Sequence, residues 1–417
     1  MREMKDSGIE WIGQIPKDWD VVPHKRVMHK VKKICEQYSG EDIISLTMNG
    51  VIKRDLTAGG KMPTSFDGYQ YVKPNDLLLC LFDIDVTPRC VGVVKDYGVT
   101  SPAYSRFVMH DGYYNAYYDY LLRAIDDDKV FVHLSKNLRS SLTESDFGAI
   151  KTCVPSLAEQ KRIVTFLDAQ CAEIDAVLEK TCASIEEYKK LKQAVITQAV
   201  TKGIRGDRPM KDSGSVWFEE IPCNWVMKRI KYLFHIKKDI AGKEGYTVLS
   251  ITQRGIQPKD LSKNEGQIAA NYSQYQLLAP GDFAMNHMDL LTGWVDISKY
   301  SGVTSPDYRV FVLDDAEKND SSYYLYLMQM CYFNRIFYGL GQGVSGMGRW
   351  RLQADKFLNF PVVVPPVDEQ KEIASYLNEK CSCIEVMIAK KQQYLTEIEN
   401  YKKSLIYEYV TGKKEVI

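Results

Sequence analysis

One block of this sequence occurs twice. Residues 4–19, MKDSGIEWIGQIPKDW, return at 210–225 as MKDSGSVWFEEIPCNW, an offset of 206 positions. Trp11, Ile15, Pro16 and Trp19 thereby fall on Trp217, Ile221, Pro222 and Trp225. The correspondence continues in order. Ser45 and Gly50 fall on Ser250 and Gly255, Pro74 and Asp76 on Pro280 and Asp282, and GVTSPAY (98–104) on GVTSPDY (302–308). The closing stretches, VPSLAEQKRIVTFL and VPPVDEQKEIASYL, align without a gap at an offset of 210. So many ordered matches do not arise by chance, and the chain is two copies of one unit of about 200 residues. A chain of 417 residues also exceeds what one compact core holds, so two bodies are expected.

Each copy opens with short β-rich runs, Gly/Asp/Asn turns and tyrosine clusters such as Tyr117 and Tyr118. YVKPNDLLLCLF and FPVVVPP predict strands, while Tyr117–Ile125 and Tyr323–Tyr332 predict helices, an α+β mixture. Each copy closes with a long helix. The first carries an apolar seam at Leu167, Cys171, Ile174, Leu178, Thr181, Ile185, Tyr188, Lys192, Val195 and Ala199. The second repeats it at Leu377, Cys381, Ile384, Ile388, Lys391, Leu395, Ile398, Lys402, Leu405 and Tyr409. Steps of four and three are the a/d spacing of a coiled coil. About 40 residues at 1.5 Å each make a rod of ~60 Å, and a narrow seam on such a rod has to be buried. The short linker after Gly203 predicts that the two helices pair antiparallel, giving approximate two-fold symmetry with a globular domain at each end. The alternative is that each helix packs on its own domain. The expected organisation is a mixed α/β domain at 1–155, a helix at 156–203, a linker at 204–209, a second domain at 210–365 and a second helix at 366–412.

The repeated KDSG…W…IP..W block and the VPxxxEQKxI lead into a coiled helix resemble the specificity subunits of type I restriction-modification systems, and the resemblance runs through essentially the whole chain. It implies a DNA-binding subunit that is not itself an enzyme. Each globular domain would read one half of a two-part target, and the helices would set the gap. Two modification subunits, which methylate adenine, and restriction subunits, which cleave DNA, would be the partners. Cofactors would sit on those partners: S-adenosylmethionine, and ATP with Mg. None is expected in this chain. Because the two copies differ, the double-stranded target should be asymmetric, its halves about one helical turn (~34 Å) apart.

Composition fits a soluble protein, with 45% hydrophobic and 26% charged residues. The charged start MREMKDSG predicts no signal peptide, and apolar runs such as 77–82 are too short for a membrane span. Ten cysteines without a CxxC pair suit reduced thiols in the cytoplasm. Net charge is zero, with 54 basic and 54 acidic residues. A DNA binder of that balance must cluster its cations on one face or borrow grip from a partner. No Walker A sequence and no HExxH or Cys/His spacing is present. GLGQGVSGMG (339–348) lacks the strand–loop–helix setting of a cofactor loop, and its counterpart KVFVHLSKNL has no glycine. SPAY and SPDY sit in repeated GVTSPxY turns, with no methyltransferase cofactor motif before them. Two other readings are a self-contained DNA methyltransferase and a coiled-coil scaffold without sequence preference.

Divergent loops inside shared frames are the candidates for reading two different half-sites. After Asp76 the candidates are Asp83, Asp85, Thr87 and Arg89; after Asp282 they are Asn286, His287, Asp289 and Thr292. A second frame sets Asn49, Lys53 and Arg54 against Arg254, Gln257 and Lys259. Arg forks onto guanine, Asn or Gln onto adenine, and Asp accepts from cytosine; the competing reading is free drift of duplicated loops. A third frame sets Arg139 against Arg349, as phosphate or base contacts or as salt bridges within their own loops. For helix pairing the candidates are Leu167, Ile174, Leu178 and Ile185 with Leu377, Ile384, Ile388 and Leu395.

Overall fold

The computed structural model describes residues 2–48, 50–57, 63–87, 89–135, 140–261, 269, 271–343 and 350–416. They form two compact units. Unit 1 is Met1–Cys182 with Gln393–Ile417, and unit 2 is Ala183–Gln392. The structural units are therefore not the sequence repeats: each takes the start of its own long helix and the end of the other.

Each unit is built on a four-stranded antiparallel sheet with the same order. In unit 1 the order is Met28–Lys30, Ser105–Met109, Leu77–Leu79 and Val91–Val93. In unit 2 it is Phe234–Lys237, Arg309–Leu313, Phe283–Met285 and Val295–Ile297. Leu77, Leu78 and Leu79 are fully buried, as a short continuous apolar strand requires. Against each sheet lies a tyrosine-rich helix, Asn115–Asp127 or Ser321–Phe333, near the segments predicted from sequence. FPVVVPP forms the strand Pro361–Val364, paired with Val226–Arg229.

Asp76 and Asp282, equivalent in the two copies, are buried at the sheet, and the two units neutralise them differently. In unit 1, Arg106 Nε donates to Asp76 at 2.6 Å. In unit 2 the position of Arg106 is taken by Val310, and Lys237 from another strand donates to Asp282 at 2.7 Å. A buried carboxylate needs a cation, but the fold leaves open which strand supplies it.

The long helices span Leu157–Lys202 and Val367–Val410. No seam position is exposed on either helix, whereas Val177, Leu191, Val386, Met387, Tyr394 and Tyr401 off the seam are. Within each unit the pairing is antiparallel. In unit 1 Phe166 meets Tyr409 and Asp175 meets Lys402; in unit 2 Tyr188 meets Lys391 and Lys192 meets Glu385. The three seam lysines thus lay their stems along the interface and end on a carboxylate or an aromatic face.

The EQ motif explains how each helix begins. Glu159 and Glu369, in the first turn, accept from the indole N–H of Trp19 and Trp225 at 3.0 and 2.9 Å. Arg2 and Arg208 pair with the same carboxylates and lie over the same indoles. A helix N-terminus favours an anion, and burial demands that it be paired. Gln160 and Gln370 tie the same turn to the carbonyls of Pro155 and Pro365, both at 2.9 Å. The repeated tryptophans are therefore packing residues, 1% exposed or less at Trp19 and Trp225. Each unit also receives the end of the other helix: Tyr117 donates to the Val410 carbonyl at 2.7 Å and Tyr323 to that of Val200 at 3.1 Å. Gly203 closes the first helix at φ +79°, where a Cβ would strike the Arg208 guanidinium.

Candidate nucleic-acid interface

Three segments far apart in sequence meet in each unit. The first is a hairpin, Ile44–Thr47 with Gly50–Lys53 in unit 1 and Leu249–Thr252 with Gly255–Pro258 in unit 2. Gly50 and Gly255 turn at φ +94° and +95° in the two copies, a conformation that glycine adopts without steric cost. The second is the loop that leaves the third strand of the sheet, and the third follows the arginine frame.

In unit 1 Arg89 joins the first two. Its Nη1 donates to the Met48 carbonyl and its Nε to that of Val91, both at 3.0 Å. The loop is stitched to the third segment by Ile84 N–H to Ser140 O, 3.0 Å, and Leu142 N–H to Leu81 O, 2.8 Å. Asp83 has φ +46°, and its carbonyl accepts from the backbone and hydroxyl of Thr87 at 2.9 and 2.7 Å. Asp83 and Asp85 are left with exposed side chains. Lys53 is exposed and ion-paired with Asp42 at 2.7 Å, and Arg54 is half-buried beside it.

Unit 2 repeats the arrangement with other residues. Gln253 Nε2 reaches the Thr292 carbonyl at 3.3 Å, and Leu352 N–H donates to His287 O at 2.9 Å. The loop is held by its own polar side chains. Asn286 Oδ1 accepts from the N–H of Met288 and Asp289, and Asp289 Oδ1 from those of Leu291 and Thr292. Arg254 and Gln257 stand exposed on the hairpin, with Lys259 half-buried after it.

The first two frames named from sequence therefore meet in each unit, and the residues that follow the arginine frame join them. Within them Arg89, Asn286, Asp289 and Thr292 build the loops, while Asp83, Asp85, Arg254 and Gln257 face solvent. Asn49, Arg139 and Arg349 lie outside the described residues. Sequence reasoning passed over two arginines of unit 2, Arg309 and Arg351. Arg309 is 6% exposed and donates to the Leu352 carbonyl at 2.9 Å, with Phe357 under its guanidinium. Burial pulls its pKa down to about 10. Burial, and then Arg309 and Arg351, pull the His287 pKa down to about 3, so this imidazole is neutral at pH 7. A usable signal was present: the first copy has serine at both arginine positions, Ser105 and Ser141.

Among the described residues no cluster of His, Cys, Asp or Glu could hold a metal ion, and no helix is long and apolar enough to cross a membrane. The geometry defines a class, a duplicated α+β fold with two paired long helices. Residues 222–397 match the family model of the type I restriction modification DNA specificity domain. The chain is 22% identical over 289 residues to the type I restriction enzyme MjaVIII specificity subunit of Methanocaldococcus jannaschii. That match covers 65% of this chain and 63% of the relative, just under two thirds of its length. A second M. jannaschii sequence, assigned to the MjaX specificity subunit, is 22% identical across 97% of this chain and 96% of its own. Among solved structures, a chain of a type I R-M system superposes with a TM-score of 0.69 at 13% identity, covering 96% of this chain and 99% of that one. The HsdS subunit from Thermoanaerobacter tengcongensis gives 0.50 at 13% identity, covering 96% and 98%. These likenesses establish the shared fold. By these matches the chain is similar to the specificity subunits of type I restriction-modification systems.

Proposed function

We propose that this chain is the DNA-reading, non-catalytic subunit of a type I restriction-modification complex in the cytoplasm. Each unit reads one half of an asymmetric two-part target, and the paired helices set the gap between the halves. Adenine methylation is carried out by two modification subunits, which bind S-adenosylmethionine and dock on the helices and nearby surfaces. Cleavage, with ATP and Mg, belongs to restriction subunits. The observation that carries this reading is the meeting of two divergent frames, with the segment that follows the arginine frame, in each of two units whose sheets share one strand order. Shared scaffold with divergent polar loops is what two different half-sites demand.

The test is a methylome of cells carrying the chain with its modification partner, sequenced for N6-methyladenine. The expected result is one asymmetric two-part motif with a fixed gap. Methylation by the purified chain alone would instead support an enzyme, and absence of any motif beside an active partner would reduce the chain to a scaffold.

A further inference from the structure

The loop frame of unit 2 holds two arginines and a histidine at positions where unit 1 has no cationic side chain. Arg309 donates to the Leu352 carbonyl, and Leu352 N–H donates to the His287 carbonyl, so Arg309, His287 and the end of the strand Trp350–Arg351 lie close together. Among the described residues neither arginine has a carboxylate within ion-pairing distance. Asp282, the nearest counterpart of the carboxylate that unit 1 gives to Arg106, is already taken by Lys237. Nε of Arg351 and Nδ1 of His287 are both buried without a hydrogen-bond partner. Arg351 as a whole is half-buried rather than sealed in the core. An orphaned buried polar atom is costly, and such costs persist where a ligand relieves them.

The same three positions in unit 1 are Leu81, Ser141 and Ser105. That equivalence rests on geometry as well as on numbering, because Leu142 N–H bonds to Leu81 O as Leu352 N–H bonds to His287 O. The site is thus a difference between the copies at one place in a shared frame, where two half-sites would be told apart.

We propose that Arg351, positioned by Arg309 and His287, reads a guanine edge in the half-site held by unit 2. Two parallel N–H donors match the O6 and N7 acceptors of guanine, and no carboxylate competes for them. The neutral imidazole adds a hydrogen-bonding group without a third positive charge. This inference rests on the function proposed above.

The test compares wild type, Arg351→Lys and Arg351→Ala, each in the complex with its modification subunit, by methylome and by DNA binding across salt concentrations. Arg351→Lys keeps the charge and loses the fork, and it remains informative if Arg351→Ala does not fold. The expected result is a motif with its gap and one half intact, and with discrimination at a single G·C position of the other half relaxed on the order of 10-fold. An unchanged motif in a folded variant overturns the inference. So does uniformly weaker binding with all bases retained and a salt slope lowered by about 1, which marks a phosphate contact. A wild-type complex without any two-part motif would remove the proposed function itself, and this inference with it.

Discussion

His24 illustrates how a single buried group couples this fold to pH. It is fully buried in unit 1, stacked on Phe147 at 4.7 Å, with Nδ1 3.3 Å from the Phe147 carbonyl. Burial pulls its pKa down to about 4, against an opposing pull from that carbonyl. In the unfolded chain it titrates near the ordinary value of 6.5. The unfolded state therefore binds the extra proton between these values. The contribution is whole above pH 6.5 and drains away as pH falls toward about 4, to a limit of about 3 kcal/mol. Chemical unfolding measured from pH 8 to pH 4 should show this loss, and His24→Phe should flatten that part of the profile. A mutant with the wild-type slope would place the proton elsewhere. Charge pairing at Glu159 and Glu369 follows a similar residue-level logic. The sequence displays the EQ motif and the tryptophans, but not that Arg2 and Arg208, 206 positions apart, complete the same clamp.

At the scale of elements, the long helices draw stability from the seam and little from its ion pairs. Leu377 is fully buried, so Leu377→Ala should cost about 2–5 kcal/mol in unfolding free energy. Lys192 and Glu385 are partly exposed, and Lys192→Ala should change it by less than about 1 kcal/mol. Equal effects in denaturant titrations would contradict that division. Seam and strands were legible because periodicity is local: steps of four and three on a helix, or a run such as Leu77–Leu79, report burial without knowledge of the partner. The loops were legible only as places of divergence. Asn286 and Asp289 look like base readers in sequence, yet their acceptors are occupied by backbone N–H groups of their own loop. A polar side chain carries no local mark of whether it faces its own backbone or a ligand.

At the scale of the whole molecule, the chain's last residues belong to its first unit. Leu405, Ile406 and Val410 are buried in the core of unit 1, and Lys413 donates to the Ile12 carbonyl at 2.7 Å. A chain ended after Gln392 should therefore lose hydrogen-exchange protection in residues 2–182 while unit 2 keeps its own. Loss confined to the helices would mean that unit 1 stands without the C-terminal segment. Duplication, the α+β class, the long helices and the frames that differ between copies follow from the sequence by itself, because repeats and periodicity are properties of order along the chain. Tertiary structure alone decided that each compact unit joins segments from both ends of the repeat, that Lys237 replaces Arg106 at the buried carboxylate, and that His287 and Arg351 come together beside Arg309. Those are matters of which groups meet in space, and contacts between distant positions are set by packing rather than by any pattern along the chain.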